Sequence, residues 1–439
     1  MSAIAGLARR PFARLLLVGG LVLLLQIPSC MIGNVVQARQ QSRDAAAADI
    51  AHTWGGPQDL LGPFLVVPFH VKRTDDKGHV SYDSGALVVL PESLDVRAEP
   101  AVETRHRGLF EIPVFRTRVQ LTGSFRAPVR DTAGAPQSDL RWSEAQLVLR
   151  IADAHAIERV APLQWSGRPV PFEAGGGELC AAGVHAPLGV VDAERPAAFA
   201  IELNVRGSRS LRFAPAGRET RVTVRSGWPD PSFQGAWLPD ERAVGAGGFT
   251  ASWHVTQAAR GLPAAWKKGF VADDTLMATL FGVELLYPVD PYRMCERSLK
   301  YDLLFTGLTF LALWLFELLM RRPVHAVQYL LLGAGLCLFY LLELSLAEQL
   351  GFAPAYAIAA AAVTAQLSLY ARASVGGRAA ATLLGVVSSL YALLYLLLRE
   401  EDYALLVGSV SLFAILSLVM FLTRRVQWQA PSGEAVALQ

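Results

Sequence analysis

The residues with the clearest chemical potential in this 439-residue chain are two carboxylates set in apolar surroundings, Glu317 and Glu343. An ionisable group inside a hydrophobic span is costly and is read first as functional. Glu317 stands one turn before Arg321, and an i, i+4 ion pair near a membrane interface is the simpler account of it. Glu343 falls well along its apolar segment, which places it near the opposite surface rather than mid-membrane. Interfacial positions explain both more simply than a proton relay does. Elsewhere the chemistry is sparse. The eight histidines form no i, i+4 pair, and neither His-Glu-x-x-His nor Cys-x-x-Cys occurs, so no metal site is expected. Gly-x-Ser-x-Gly and the phosphate-cradling Gly-x-x-x-x-Gly-Lys are missing, so no catalytic residue and no cofactor is expected. Asp75-Asp76 and Asp273-Asp274 could supply paired carboxylates, but adjacent acids on a loop are more simply solvated turn residues.

The elements that position these residues are apolar runs. Five of them, Leu303–Met320, Ala326–Leu346, Ala355–Ala371, Ala379–Leu398 and Tyr403–Leu422, are separated by short polar breaks. Each is long enough to cross a hydrocarbon core of about 30 Å as a helix. Prolines 323 and 354 sit at helix ends, whereas a transporter is expected to carry broken helices at the midplane. The glycines 333, 335, 385 and 408 and the alanine face 355–362 suit close helix packing.

A sixth run, Leu15–Ile27, follows Arg9, Arg10 and Arg14 and continues through Val35. It resembles a signal peptide but lacks an Ala-x-Ala site, so it reads as an uncleaved anchor. Cys30 after Ile27-Pro28-Ser29 loosely resembles a lipoprotein processing site, although the proline fits that pattern poorly. Arg321, Arg322, Arg372, Arg378, Arg424 and Arg425 mark alternate helix ends, while the other loops hold Glu348 and Glu400-Glu401-Asp402. Basic short loops face the cytoplasm, which predicts both termini inside.

Residues 35–299 then lie on the periplasmic side, with 29 basic and 30 acidic residues. Without a basic stripe this stretch is not expected to bind nucleic acid. Runs such as 64–71, 85–90, 114–121, 145–151, 199–205 and 220–225, bounded by Gly, Pro or Asp, predict an antiparallel sheet or sandwich. Val35–Trp54 lacks turn residues and predicts a helical stem. Cys180 and Cys295 share this oxidising space and could pair. Trp228, Phe233 and Trp237 are candidate recognition aromatics, and filling a core or fixing a proline-rich loop is the alternative role.

Several words of the sequence resemble the CreD-type bacterial inner-membrane proteins. They include Gly62-Pro63-Phe64-Leu65-Val66-Val67-Pro68, Leu90-Pro91-Glu92-Ser93-Leu94 and Ser226-Gly227-Trp228-Pro229-Asp230-Pro231-Ser232-Phe233. Nearer the membrane, Val327-Gln328-Tyr329-Leu330-Leu331, Glu348-Gln349-Leu350-Gly351-Phe352 and Phe421-Leu422-Thr423-Arg424-Arg425-Val426-Gln427-Trp428 carry it further. The resemblance covers nearly the whole chain. It implies a Gram-negative inner membrane and a role in cell-envelope integrity, under a two-component system and tied to colicin tolerance and the β-lactam response. It supplies no catalytic residues.

The expected architecture is an α+β membrane protein with six transmembrane helices and a large, mainly β periplasmic domain between helices one and two. Its parts are residues 1–34 (basic segment and anchor), 35–299 (β domain with helical stem), 300–425 (five-helix bundle) and 426–439 (tail). Expected partners are the lipid bilayer and an envelope component or a periplasmic or membrane protein. Transport or lipid handling by the bundle is the alternative function.

Overall fold

The computed structural model describes residues 11–74, 80–126, 140–189, 191–192, 195–285, 290–320, 324–400 and 403–424. Asp75-Asp76, Arg321-Arg322, Glu401-Asp402, Arg425 and the tail 426–439 lie outside the described residues. The chain is α+β and divides into two compact units. Ser42–Pro288 forms one, and the described residues before and after it form the other.

The first helix, α1 (Pro11–Trp54), runs without a break through Pro28 and joins anchor to stem. Its end docks on the β unit through Ile50, which packs with Ile112 and Val114. Asp49 pairs with Arg107 at 2.7 Å. The Trp54 ring lies under the guanidinium groups of Arg105 and Arg116.

Eighteen strands follow among the described residues, and they fall into two nine-stranded sheets. In chain order the ones used below are β1 (Gln58–Thr74), β2 (Val80–Val89), β3 (Ser93–Arg107), β4 (Phe110–Phe125) and β5 (Ala145–Ile151). They continue with β6 (Ile157–Val160), β7 (Leu163–Trp165), β8 (Arg168–Val170), β9 (Glu173–Gly176), β10 (Cys180–Gly189), β11 (Ala197–Ser208) and β12 (Ser210–Phe213). Next come β13 (Glu219–Ser226), β14 (Pro231–Gly235), β15 (Glu241–Gly245), β16 (Gly248–Thr256), α2 (Gln257–Arg260), β17 (Ala265–Lys267), α3 (Asp273–Ala278) and β18 (Phe281–Leu285).

The first sheet is built around β1, which pairs with β2 and β5 antiparallel and with β12 parallel. The continuous apolar run Phe64–Val67 suits a central strand covered on both faces, and all four side chains are buried. Gly62, at φ +110°, allows the register shift between Leu61 and Phe64, since an added Cβ would stand 3.1 Å from Val148 O. The second sheet runs β15-β16-β13-β3-β4-β11-β7-β8, with β6 beside β11. Its strands alternate: Leu94, Val96 and Ala98 of β3 point inward while Arg97 and Glu99 point out. Inward residues of both sheets share one apolar core. The expected antiparallel framework therefore holds, with two parallel pairs added, β1–β12 and β3–β13.

The described residues that follow form helices: α4 (Pro291–Lys300), α5 (Asp302–Met320), α6 (Ala326–Leu350), α7 (Phe352–Ser374), α8 (Gly377–Arg399) and α9 (Ala404–Thr423). With α1, the last five make six helices long and apolar enough to cross a membrane among the described residues. Helix α4 was not expected from sequence. Its start is fixed by Asp290, whose side chain accepts from Tyr292 N–H, with Pro291 in the first turn. At the other end of the bundle α9 buries none of its residues and turns Leu405, Phe413 and Met420 outward, as a lipid-facing helix would.

Candidate functional site

In the β unit the three candidate aromatics are all half-buried against the core. Phe233, on the edge strand β14, meets Phe249 and Trp253 edge-on at 5.8 and 5.9 Å. Trp237 stands edge-on to Phe281 at 5.7 Å, and its carbonyl accepts from Trp253 Nε1 at 3.2 Å. Trp228 donates from Nε1 to Asp230 O at 3.0 Å, which closes the proline-flanked turn. Core-filling and loop-fixing are thus what these rings do here. Beside Trp237, Leu238 is 68% exposed in the connection between β14 and β15.

The other chemical candidates in this unit are singletons. Asp273 stands in the first turn of α3 and pairs with Arg150 at 3.1 Å, so the Asp273-Asp274 pair is a solvated helix end. His254 meets Glu219 at 2.8 Å and His185 meets Gly175 O at 2.8 Å. Among the described residues no group of His, Cys, Asp or Glu is arranged to hold a metal. Cys180 and Cys295, the two cysteines weighed as a pair from sequence, are both free thiols. Burial raises the Cys180 thiol above its ordinary value, which makes it a poor nucleophile.

The helical unit holds the intramembrane acids. Glu317 is buried on α5, ion-paired with Arg14 of α1 and accepting from the Tyr329 hydroxyl of α6 at 3.3 Å. Arg321, the partner expected from sequence, lies outside the described residues. The basic residue before the anchor and the acid near the end of the second span therefore meet.

Glu343 is different. It lies on α6, seven residues before Leu350, and is fully buried. No hydrogen-bond donor reaches either of its oxygens. Around it stand Cys295 and Ser298 of α4, Tyr340 of its own helix, Tyr356 of α7 and Tyr391 of α8. Ser298 Oγ comes close without closing a hydrogen bond, and Tyr391 Oη is also unpaired. Tyr356 donates to Tyr391 O at 2.7 Å, which ties α7 to α8.

A third buried acid, Asp302, starts α5. It accepts from Gln26 of α1 and from Thr306, both at 3.1 Å. Sequence reading passed over this pair. Gln26 was the available signal, as an amide inside the apolar anchor. Nearer the end of α6, Glu348 accepts from the Tyr292 hydroxyl at 3.1 Å and pairs with Arg39. Beside this polar layer a groove of about 590 Å³ opens between α7 and α8, lined by Ala357, Ala361, Ala365 and Ala392 with Tyr356 and Tyr391.

The family described as inner membrane protein CreD matches residues 10–429 of the chain. Inner membrane protein CreD of Escherichia coli (strain K12) is 33% identical over 419 residues, which cover 94% of this chain and 92% of that protein. Six membrane-length helices, a β unit between the first and the rest, and this match over nearly the full length lead to one assignment: the chain belongs to the inner membrane protein CreD family.

Proposed function

We propose that this protein supports cell-envelope integrity, including the envelope-stress and β-lactam response, by binding an envelope component or partner protein through its β unit, without catalysis. The β unit is held on the periplasmic side and both termini are cytoplasmic. Arg14, Arg372, Arg378 and Arg424 fall at one set of helix ends and Glu348 and Glu400 at the other, which favours that orientation. Cysteine labelling tests it. A membrane-impermeant maleimide should modify Leu109→Cys, at the exposed tip between β3 and β4, and spare Ser374→Cys at the end of α7. The reverse pattern would refute the orientation.

The observation that carries the binding reading is the apolar edge between β14 and β15. Leu238 and Val244 are 68% and 52% exposed there, beside Trp237. Apolar side chains on a soluble surface, backed by a rigid aromatic cluster, are what a recognition patch requires. A photo-reactive residue at Leu238 in the full chain should capture one envelope partner. Failure to capture any, together with full rescue of a deletion strain by Leu238→Asp, would reject this surface.

A second reading places the activity in the helical unit, as transport or lipid handling. The unpaired carboxyl of Glu343 favours it, since a buried acid without a donor is costly to retain. Loss of rescue by Glu343→Gln and Glu317→Gln at normal abundance would support that reading, and full rescue would remove it.

A further inference from the structure

We propose that Glu343 is the centre of a binding site for a small monovalent cation, H⁺ or Na⁺, enclosed by α4, α6 and α8. The inference deepens the membrane-unit reading, and its readout is a stability shift, separate from the rescue assay that tests that reading.

The argument begins with what is unsatisfied. Glu343 is fully buried, and both carboxyl oxygens lack a donor. Ser298 Oγ and Tyr391 Oη, from two other helices, are buried and lack partners as well. Buried side-chain oxygens are nearly always hydrogen-bonded, so a cluster of them points to a component that completes it. Asp302 and Glu317 show how this fold treats its other buried acids. Asp302 has an amide and a hydroxyl, and Glu317 has an arginine and a hydroxyl. Only the Glu343 carboxyl, of these three, is left bare.

The missing component must carry positive charge and be small. A lone carboxylate in an apolar interior is far too costly to leave uncompensated. The titratable groups facing it are Cys295 from α4, Asp302 from α5, Tyr340 from its own helix, Tyr356 from α7 and Tyr391 from α8. Every one is an acid or neutral, so none supplies the charge. Glu343 and Ser298 are fully buried and Cys295 nearly so, and this closed packing leaves no room for an amine headgroup. A proton on the carboxyl, or a sodium ion held by hard oxygen donors, satisfies both conditions.

The test is thermal unfolding of the purified full-length protein in lipid nanodiscs, wild type against Glu343→Gln. Sodium chloride is compared with choline chloride at equal ionic strength, and pH is varied from mildly acidic to mildly alkaline. A sodium site predicts a midpoint that rises with sodium in wild type and not in Glu343→Gln. A proton site predicts no sodium response. The folded state then binds one proton more than the unfolded state, so wild type loses stability relative to Glu343→Gln as pH rises. Either result supports the site and identifies the ion. If Glu343→Gln does not accumulate, Glu343→Ala replaces it, since it removes the same charge. A wild-type midpoint that follows the variant through every change of ion and pH overturns the proposal.

Discussion

Arg260 offers a quantitative test of how the two sheets are joined. The residue ends α2, is 4% exposed, and has no carboxylate partner among the described residues; its guanidinium instead donates to backbone carbonyls. Ala216 O accepts at 2.6 Å, Gly217 O accepts beside it, and Leu262 O lies at 3.4 Å. Residues 214–217 link β12 of the first sheet to β13 of the second, so the guanidinium fastens the crossover between them. Burial lowers the Arg260 pKa to about 10, so the group stays charged at neutral pH. That drop corresponds to about 3 kcal/mol of lost solvation.

Two charge-assisted hydrogen bonds contribute about 1.5–3 kcal/mol each, or about 3–6 together. Arg260→Met keeps most of the stem volume, loses the bonds and recovers the solvation term, so the net loss is about 1.5 kcal/mol. Arg260→Lys keeps the charge buried but cannot span both carbonyls with a planar fork, and its ammonium is more strongly hydrated. The charge-keeping variant should therefore be the less stable of the two, by about 1–2 kcal/mol. Seven of the nine tryptophans lie in the β unit, so denaturant unfolding followed by tryptophan fluorescence reports this unit. Midpoints should fall in the order wild type, Met, Lys. A lysine variant as stable as wild type would show that charge alone suffices. A methionine variant within about 0.5 kcal/mol of wild type would show that the crossover needs no clamp.

Asp59 and Arg212 form a two-pronged pair, both contacts at 2.7 Å, between β1 and β12. The carboxylate is buried and the guanidinium half-exposed, so Asp59→Asn should cost about 2 kcal/mol in the same fluorescence transition, and an unchanged midpoint would contradict this. In the helical unit, Tyr329→Phe removes one hydrogen bond from Glu317, for a loss of about 1 kcal/mol. Glu317→Ala also leaves the Arg14 cation without its acid, so it should lower the thermal midpoint in nanodiscs clearly further. Equal effects would mean that the ion pair contributes nothing.

The strands that sequence made legible are those whose apolar residues form runs or alternate with few charges. Phe64–Val67 and Ala145–Ile151 are examples. Strand β3 escaped because Asp95, Arg97 and Glu99 give it a polar appearance, although Leu94, Val96 and Ala98 keep the period of two. Strand β16 escaped in the same way, with Thr250, Ser252 and His254 interleaving Phe249, Ala251 and Trp253. Helix α4 lies between the last strand and the first long apolar run, and its mixed composition reads as a linker.

The candidate site divides along the same line. That Glu343 is an acid in an apolar segment is a one-dimensional fact, and sequence gave it a reading as an interfacial residue. That its carboxyl lacks a donor depends on which residues of α4, α7 and α8 surround it, and no spacing within α6 carries that information. Asp302 shows the converse. It stands at the margin of an apolar run, where a polar residue looks like a boundary, yet Gln26 and Thr306 satisfy it in a buried setting. Of the two acids, the one that sequence overlooked is provided for, and the one that sequence noticed is left open. For a buried group, the presence or absence of a partner, more than position along the helix, separates a structural acid from a functional one.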